Sequence, residues 1–165
     1  MNFFKKKLAF LKITHIPRVT WSSDSPFNLK PKLITFIYLF FGLTLFGLGE
    51  ALLIVSSYGV TPWTVLAEGV AIKFKISVGL ATFLISISIL ILWIPLKQKI
   101  GIGTISNAII IASTIDLFVY FIPFANSYYL SIIYLVLGIL LVGMGSGFYL
   151  TTNLGPGTRD GLMKG

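Results

Sequence analysis

Cysteine is absent from the 165 residues, histidine occurs once, and only five side chains are acidic. The first absence removes disulfide staples and thiolate metal sites, though it does not discriminate compartment. The second leaves His15 in a basic segment beside no set of carboxylates, so neither a metal site nor a nucleophilic triad can be assembled. We therefore expect no metal, no cofactor and no enzymatic activity. Charge is also scarce, at 11% of residues against roughly 25% in an ordinary soluble domain. What takes its place is apolar: 56% of the chain is hydrophobic and mean hydropathy is +0.93. That balance belongs to a membrane protein. A net charge of +8 would suggest nucleic acid in a soluble chain, but here the basic residues cluster at the ends of apolar segments. The expected partner is the lipid bilayer, not nucleic acid.

Residues 1–32 carry Lys5, Lys6, Lys7, Lys12, Arg18, Lys30 and Lys32 against one acid, Asp24. The run Leu8-Ala9-Phe10-Leu11 is too short for a signal peptide, Lys12 interrupts it, and no small-x-small cleavage site follows. The segment reads as a basic cytoplasmic lead-in; its alternative role is to dip Phe3, Phe4, Leu8, Phe10 and Leu11 into the interface while the lysines meet anionic headgroups. Four stretches near 33–56, 77–96, 102–122 and 128–152 then have the length, around 20 residues, that a hydrocarbon core of about 30 Å demands. Their backbone polar groups must be satisfied internally, and none alternates as a barrel strand does. The expected fold class is all-α: a polytopic membrane bundle of four spanning helices, with short interfacial or re-entrant helices, the first over 62–74.

The chain also resembles itself. Sliding 37–69 onto 133–165 at a constant offset of 96, without gaps, pairs Gly42, Gly47, Gly49, Gly59 and Gly69 with Gly138, Gly143, Gly145, Gly155 and Gly165. Chance placement would match about one of the five, which makes an internal duplication the expected origin of the pattern. The membrane domain, 33–165, divides into a first repeat of about 33–127 and a second from about 128. Only the first continues through two more spans, so the second copy is expected to be incomplete, with about two further apolar segments following Gly165 in the whole protein.

If the N-terminus is cytoplasmic, that side receives eleven of the thirteen Lys and Arg residues, and the other only Lys73 and Lys75. Their distribution predicts a cell-membrane protein with a cytoplasmic N-terminus. An offset of 96 contains three spans, an odd number, so the second copy must enter from the opposite side. This is the inverted-topology arrangement of many secondary transporters.

Each repeat carries a break followed by a short helix. In the first, Thr61 can cap and Pro62 suits the first helical position, with Trp63 and Thr64 following. In the second, Gly155, Pro156, Gly157 and Thr158 break the chain before Arg159 and Asp160. The breaks start either surface helices with glycine hinges or re-entrant half-helices whose free N–H groups suit an anionic or polar ligand. A phosphate-loop reading of Gly155-x-Gly157 fails for want of a preceding strand. Two acids fall within spans, Glu50 and Asp116, and ionisable groups there are functional candidates. Glu50 pairs with Ser146 in the duplication, so the repeat requires no acid at that position, and Asp116 ranks first. The substrate-binding set is thus Thr61, Pro62, Trp63, Thr64, Asp116, Gly155, Gly157, Thr158, Arg159 and Asp160. Asp116 would pair Arg159 or a neighbouring backbone group, with Glu50 as the second candidate partner of Arg159, and an anionic or zwitterionic ligand would fit. Gly47, Gly49, Gly143, Gly145 and Gly147 are read as helix-packing positions.

The succession Gly47-x-Gly49, Gly59 to Leu66, Ile100 to Asn107, Ile115-Asp116-Leu117, Gly143-x-Gly145-x-Gly147 and Leu154 to Met163 resembles the YczE-type, YitT-related family of bacterial integral membrane proteins over about residues 33–165. Two positions depart from its pattern. Thr64 stands where the family commonly has Asp, and Glu50 where an aliphatic residue is usual. The resemblance implies a multi-spanning cytoplasmic-membrane protein and lends no settled activity. On function the residues favour a small-molecule transporter or permease-like protein with its site at the paired breaks. The alternative is a non-transporting factor or scaffold that supports a membrane protein partner, and a third option is a lipid-binding protein.

Overall fold

The computed structural model describes residues 19–96 and 100–158. Five helices occur in that range: α1 (Leu33–Ser56), α2 (Pro62–Phe74), α3 (Val78–Trp93), α4 (Ile102–Phe121) and α5 (Tyr128–Thr151). No strand occurs among the described residues. Local chemistry sets the starts. Thr61, Ser77 and Ser127 each stand in extended backbone and accept a hydrogen bond from the amide three residues on, at Thr64, Leu80 and Leu130. Pro62 fills the first position of α2, where the N–H it lacks would have had no partner. Left-handed residues Ser57 and Lys75 close α1 and α2.

Three helices, α1, α4 and α5, are each long and apolar enough to cross a membrane. The second expected span is shorter than the sequence suggested. It begins at Val78 and stops at Trp93, where Pro95 follows and brings no N–H to continue the ladder. Sixteen residues rise only about 24 Å, less than the hydrocarbon thickness. The segment passes as a span only together with α2, from which it is bent by 112° at Lys75-Ile76-Ser77. The chain is thus a helical membrane protein with three candidate spans among the described residues, or four if the bent pair is one.

Helix α1 is the centre of the bundle, with 67% of its most apolar window buried against 17% for α5. Its seam with α5 is made by backbone approaching backbone. A Cβ on Gly42 would lie 2.7 Å from the Tyr149 amide nitrogen, and one on Gly49 2.8 Å from the Gly138 carbonyl. From the other helix, a Cβ on Gly138 would meet Gly49 and Leu53, and one on Gly145 would meet Gly42 and Phe46. These contacts are reciprocal. Adding 96 to one partner and subtracting it from the other turns Gly42–Gly145 into Gly138–Gly49, and Gly42–Tyr149 into Gly138–Leu53.

Of the five packing glycines expected from sequence, three are therefore at close approaches. Gly49 and Gly145 face each other's helix, and Gly47 faces Thr114 and Ile111 on α4. Gly143 and Gly147 correct the expectation, because a Cβ on either would meet nothing within 4 Å. They lie on the uncovered side of α5, where a glycine's small size gives no closer contact. On the remaining side, Gly79 of α3 is pressed against Ala112 and Asp116 of α4, and Ala67 and Ala71 of α2 pack on Ala81 of α3.

Part of the lead-in is built into the fold rather than solvated. The Trp21 ring stacks on Tyr38 with centroids 4.4 Å apart, and its indole N–H donates to the Thr151 hydroxyl at 3.2 Å. The Ser23 amide donates to the Thr152 carbonyl, and the Asn153 amide group to the Ser23 carbonyl. Residues 21–23 thereby tie the start of α1 to the end of α5. The lead-in as far as residue 18 lies outside the described residues.

Candidate functional site

Glu50 is fully buried in α1, six residues before its end. At 1.5 Å per residue that is about 9 Å inside the helix terminus. A carboxyl group at such a place needs polar partners, and the first break supplies them. The Thr64 hydroxyl donates to Glu50 Oε2 at 2.6 Å, and the Thr61 hydroxyl stands 3.4 Å from both carboxyl oxygens. The two threonine oxygens are 2.9 Å apart. After Ser57 the chain therefore turns back so that α2 starts at the level of Glu50, not at the terminus of α1. Trp63 and Ala67 border a small gap with Ser86 and Ile89, in the second half of α3. The N-terminus of α2 thus points into the bundle.

The second break arrives from the other end. Asn153 and Gly155 take positive φ values of 52° and 112°, which turn the chain sharply after α5. Gly103 N–H donates to the Leu154 carbonyl at 2.8 Å, and the Thr104 hydroxyl to the Pro156 carbonyl at 2.7 Å. The start of α4 thus holds the loop against the core, where Leu154 is fully buried. A Cβ on Gly101 would collide with the Leu154 carbonyl, so that close approach requires glycine.

Both breaks open on one cavity of about 290 Å³. Three pairs of positions related by the 96-residue offset line it: Phe46 with Val142, Glu50 with Ser146, and Thr61 with Gly157. Trp63, Asn107 and Tyr149 complete the polar and aromatic part of its wall. The Ser146 hydroxyl is engaged by the Val142 carbonyl at 2.7 Å. The Asn107 amide group, on a residue 7% exposed, makes no hydrogen bond among the described residues. That amide borders the cavity, where a water or a ligand group can meet it.

Of the residues expected from sequence to bind substrate, Thr61, Trp63 and Gly157 line this cavity, Thr64 holds its carboxyl group, and Pro62 starts the half-helix beside it. Gly155 turns the second break against Thr104, and Thr158 is buried with no hydrogen-bond partner for its hydroxyl among the described residues. Arg159 and Asp160, with the pairing expected of Arg159, lie outside the described residues. Asp116 is placed elsewhere. Its carboxyl group accepts the Ser77 hydroxyl at 2.6 Å and the Gly79 amide at 2.7 Å, so it fastens α4 to the start of α3 beside a groove shared with Leu80 and Phe83. Among the described residues the acid at the breaks is Glu50, which the sequence had ranked second. Asn107, Tyr149 and Phe46 were missed, being single polar or aromatic residues on long apolar helices. The Glu50–Ser146 alignment was the available signal, since both members of one repeat pair face the same space.

Asp116→Ala should remove two hydrogen bonds at the α3–α4 contact, at a cost of about 1–3 kcal/mol. Thermal unfolding in detergent will show this as a lowered midpoint. Reagent access to the Glu50 cavity should not change. A variant with normal stability and a blocked cavity would contradict the placement.

A bundle of apolar helices with a buried carboxyl group between two broken segments defines the class: a polytopic α-helical membrane protein with a cavity bordered by a buried acid. Residues 33–165 match DUF6198, a family of unknown function, and the chain belongs to it. It is 39% identical over 154 residues to an uncharacterized protein of Haemophilus influenzae, covering 93% of this chain and 70% of that protein. It is 31% identical over 129 residues to the uncharacterized membrane protein YczE of Bacillus subtilis, covering 76% of this chain and 60% of the relative. Similarity to YyaS of Bacillus subtilis, also uncharacterized, is 31% over 132 residues, or 77% and 65% of the two chains. The chain thus spans between three-fifths and seven-tenths of the length of these relatives. No solved structure matches it.

Proposed function

We propose that this chain is the core of a small-molecule transporter or permease-like protein of the cell membrane, with the Glu50 cavity as its site and the two breaks as its walls. The observation that carries the reading is the composition of the cavity wall: Phe46, Glu50 and Thr61 line it together with their own repeat partners Val142, Ser146 and Gly157. Together with the reciprocal α1–α5 contacts, this supports an inverted repeat whose pseudo-two-fold axis passes through the cavity. A site on that axis between broken helices is where inverted-repeat transporters place substrate. The cavity holds hydrogen-bonding and aromatic groups suited to binding and release rather than bond-making.

The scaffold reading draws on a different feature. The uncovered side of α5, with Gly143 and Gly147 open and Ile139 and Leu140 exposed, offers an apolar surface to a membrane partner. Solvent access separates the two. In membranes, Ser146→Cys should react with a small hydrophilic thiol reagent while a cysteine at Ile139 does not; the lack of native cysteine removes background. An unreactive Ser146→Cys would mean a solid interior and favour the scaffold.

The orientation proposed has the N-terminus in the cytoplasm, supported by the concentration of Lys and Arg on one side. A cysteine at Asn126 should then be labelled from outside and one at Gln98 only from inside. The reverse pattern would overturn it.

A further inference from the structure

We propose that the uncovered face of α5 is the seat of one more membrane helix of this same protein, the second repeat's counterpart of α4, lying outside residues 1–165. The proposal rests on the repeat relation between α1 and α5 and is independent of what the cavity binds. Helix α1 packs on two long helices, α5 and α4, whereas α5 packs closely on α1 alone among the described helices. Two copies of one unit should bury the same faces, so α5 is one neighbour short.

The missing contact can be traced residue by residue. On α1, Leu43, Gly47, Ala51 and Ile54 form one stripe at helical spacing, and all four are buried. Leu43 and Ile54 share a core with Ile111 and Ile115 of α4, and a Cβ on Gly47 would strike Thr114 of that helix. Their counterparts at the offset of 96 are Ile139, Gly143, Gly147 and Leu150. Ile139 is 58% exposed where Leu43 is fully buried, and Leu150 is 48% exposed where Ile54 is 7%. A Cβ on Gly143 or Gly147 would meet nothing within 4 Å. Other sides of the two helices agree. On their shared seam Gly42 and Gly138 are both buried, as are Gly49 and Gly145, while away from it Phe41 and Leu137 are both exposed.

Helix α4 shows what the occupant must be. It runs in the same direction as α1: its start is held by Leu154, just past the end of α5, and after its end the Ala125 amide donates to the Val55 carbonyl at 2.9 Å. The occupant is therefore an apolar helix of spanning length, parallel to α5, that brings a side chain over Gly143 as Thr114 lies over Gly47. A second copy of this chain does not supply it, because that copy's α4 is already seated on its own α1. Ile102–Phe121 shifted by 96 falls at positions 198–217. The relatives have room for such a helix: the matches cover 70%, 60% and 65% of the Haemophilus influenzae protein, YczE and YyaS, leaving three to four tenths of each.

The test uses the whole gene product, purified and reconstituted at one molecule per nanodisc, so that neither a second copy nor another protein is present. Any cysteine beyond Gly165 is first replaced by serine. A nitroxide at Ile139→Cys should lose most of its collisions with lipid-dissolved oxygen, while one at Leu137→Cys keeps them. A second measurement avoids the label. Gly143→Leu, harmless within residues 1–165 where its side chain meets nothing, should abolish the monodisperse gel-filtration peak of the whole product. Equal oxygen access at Ile139 and Leu137 overturns the proposal, as does a whole product that tolerates Gly143→Leu or a gene that ends at Gly165. Shielding of Ile139 that arises only when two molecules share a disc assigns the face to a second copy and overturns it as well.

Discussion

Gly145→Leu should prevent the chain from accumulating as a folded, monodisperse protein. The first atom added at Gly145 would stand 2.6 Å from the Phe46 amide nitrogen and 2.7 Å from the Gly42 carbonyl oxygen. These are backbone atoms of α1, so no side chain can swing aside to admit the leucine. Overpacking of a core costs about 1–3 kcal/mol when neighbours can yield, and this site is at or beyond the upper end because a whole helix must shift. The contact cannot be replaced by lipid attraction, since helices in a bilayer associate through close packing rather than burial from water. Gly143→Leu, two residues away on the same helix, meets nothing within 4 Å and should behave as wild type. Fluorescence-detected gel filtration of the two variants decides the matter. Similar profiles for both would show that the α1–α5 seam is not as described.

The second large effect concerns the root of α2. Glu50→Leu removes the acceptor that holds Thr64 and Thr61, and leaves the Thr64 hydroxyl buried with one partner fewer. Leaving a buried hydroxyl without its partner costs about 1–3 kcal/mol, and here the bond is the link between α1 and the half-helix. Hydrogen exchange should report at least a roughly tenfold loss of protection for amides in α2, with α1 and α5 little changed. Glu50→Gln should keep most of that protection through its amide oxygen. Uniform loss across the bundle would instead make Glu50 a global stability residue, and no change would mean that α2 is held by its alanine contacts with α3 alone.

Much of this arrangement was legible in the sequence because membrane helices are set by length and apolarity. α1, α4 and α5 begin and end within a residue of expectation, and Thr61-Pro62 located α2 to the residue. The glycine alignment identified Gly49 and Gly145 as packing positions because only glycine lets two helix backbones meet. What the alignment could not rank was exposure. Gly143 and Gly147 have the same residue type and spacing but look away from α1, since helical phase relative to a neighbour is a tertiary fact. The two acids were misordered for a related reason. Asp116 looked functional because it interrupts an apolar helix, yet its partners, Ser77 and the Gly79 amide, lie 37 to 39 residues away in sequence at the start of another helix. Glu50 looked incidental because its repeat partner is Ser146. The fold makes that difference the asymmetry of the cavity.

The meeting of the two breaks at one cavity is the feature from which the rest follows, and crosslinking tests it directly. Thr61→Cys and Gly157→Cys, combined in the cysteine-free chain with a protease site inserted at Asn126, should be joined in native membranes by a short bis-maleimide. After cleavage at the inserted site the two fragments should then migrate as one species. The same chain with cysteines at Thr61 and Ile139, which lies on the exposed side of α5, should separate into two. Separation of the Thr61–Gly157 fragments while both cysteines react singly would contradict the account, because the breaks would then lie apart.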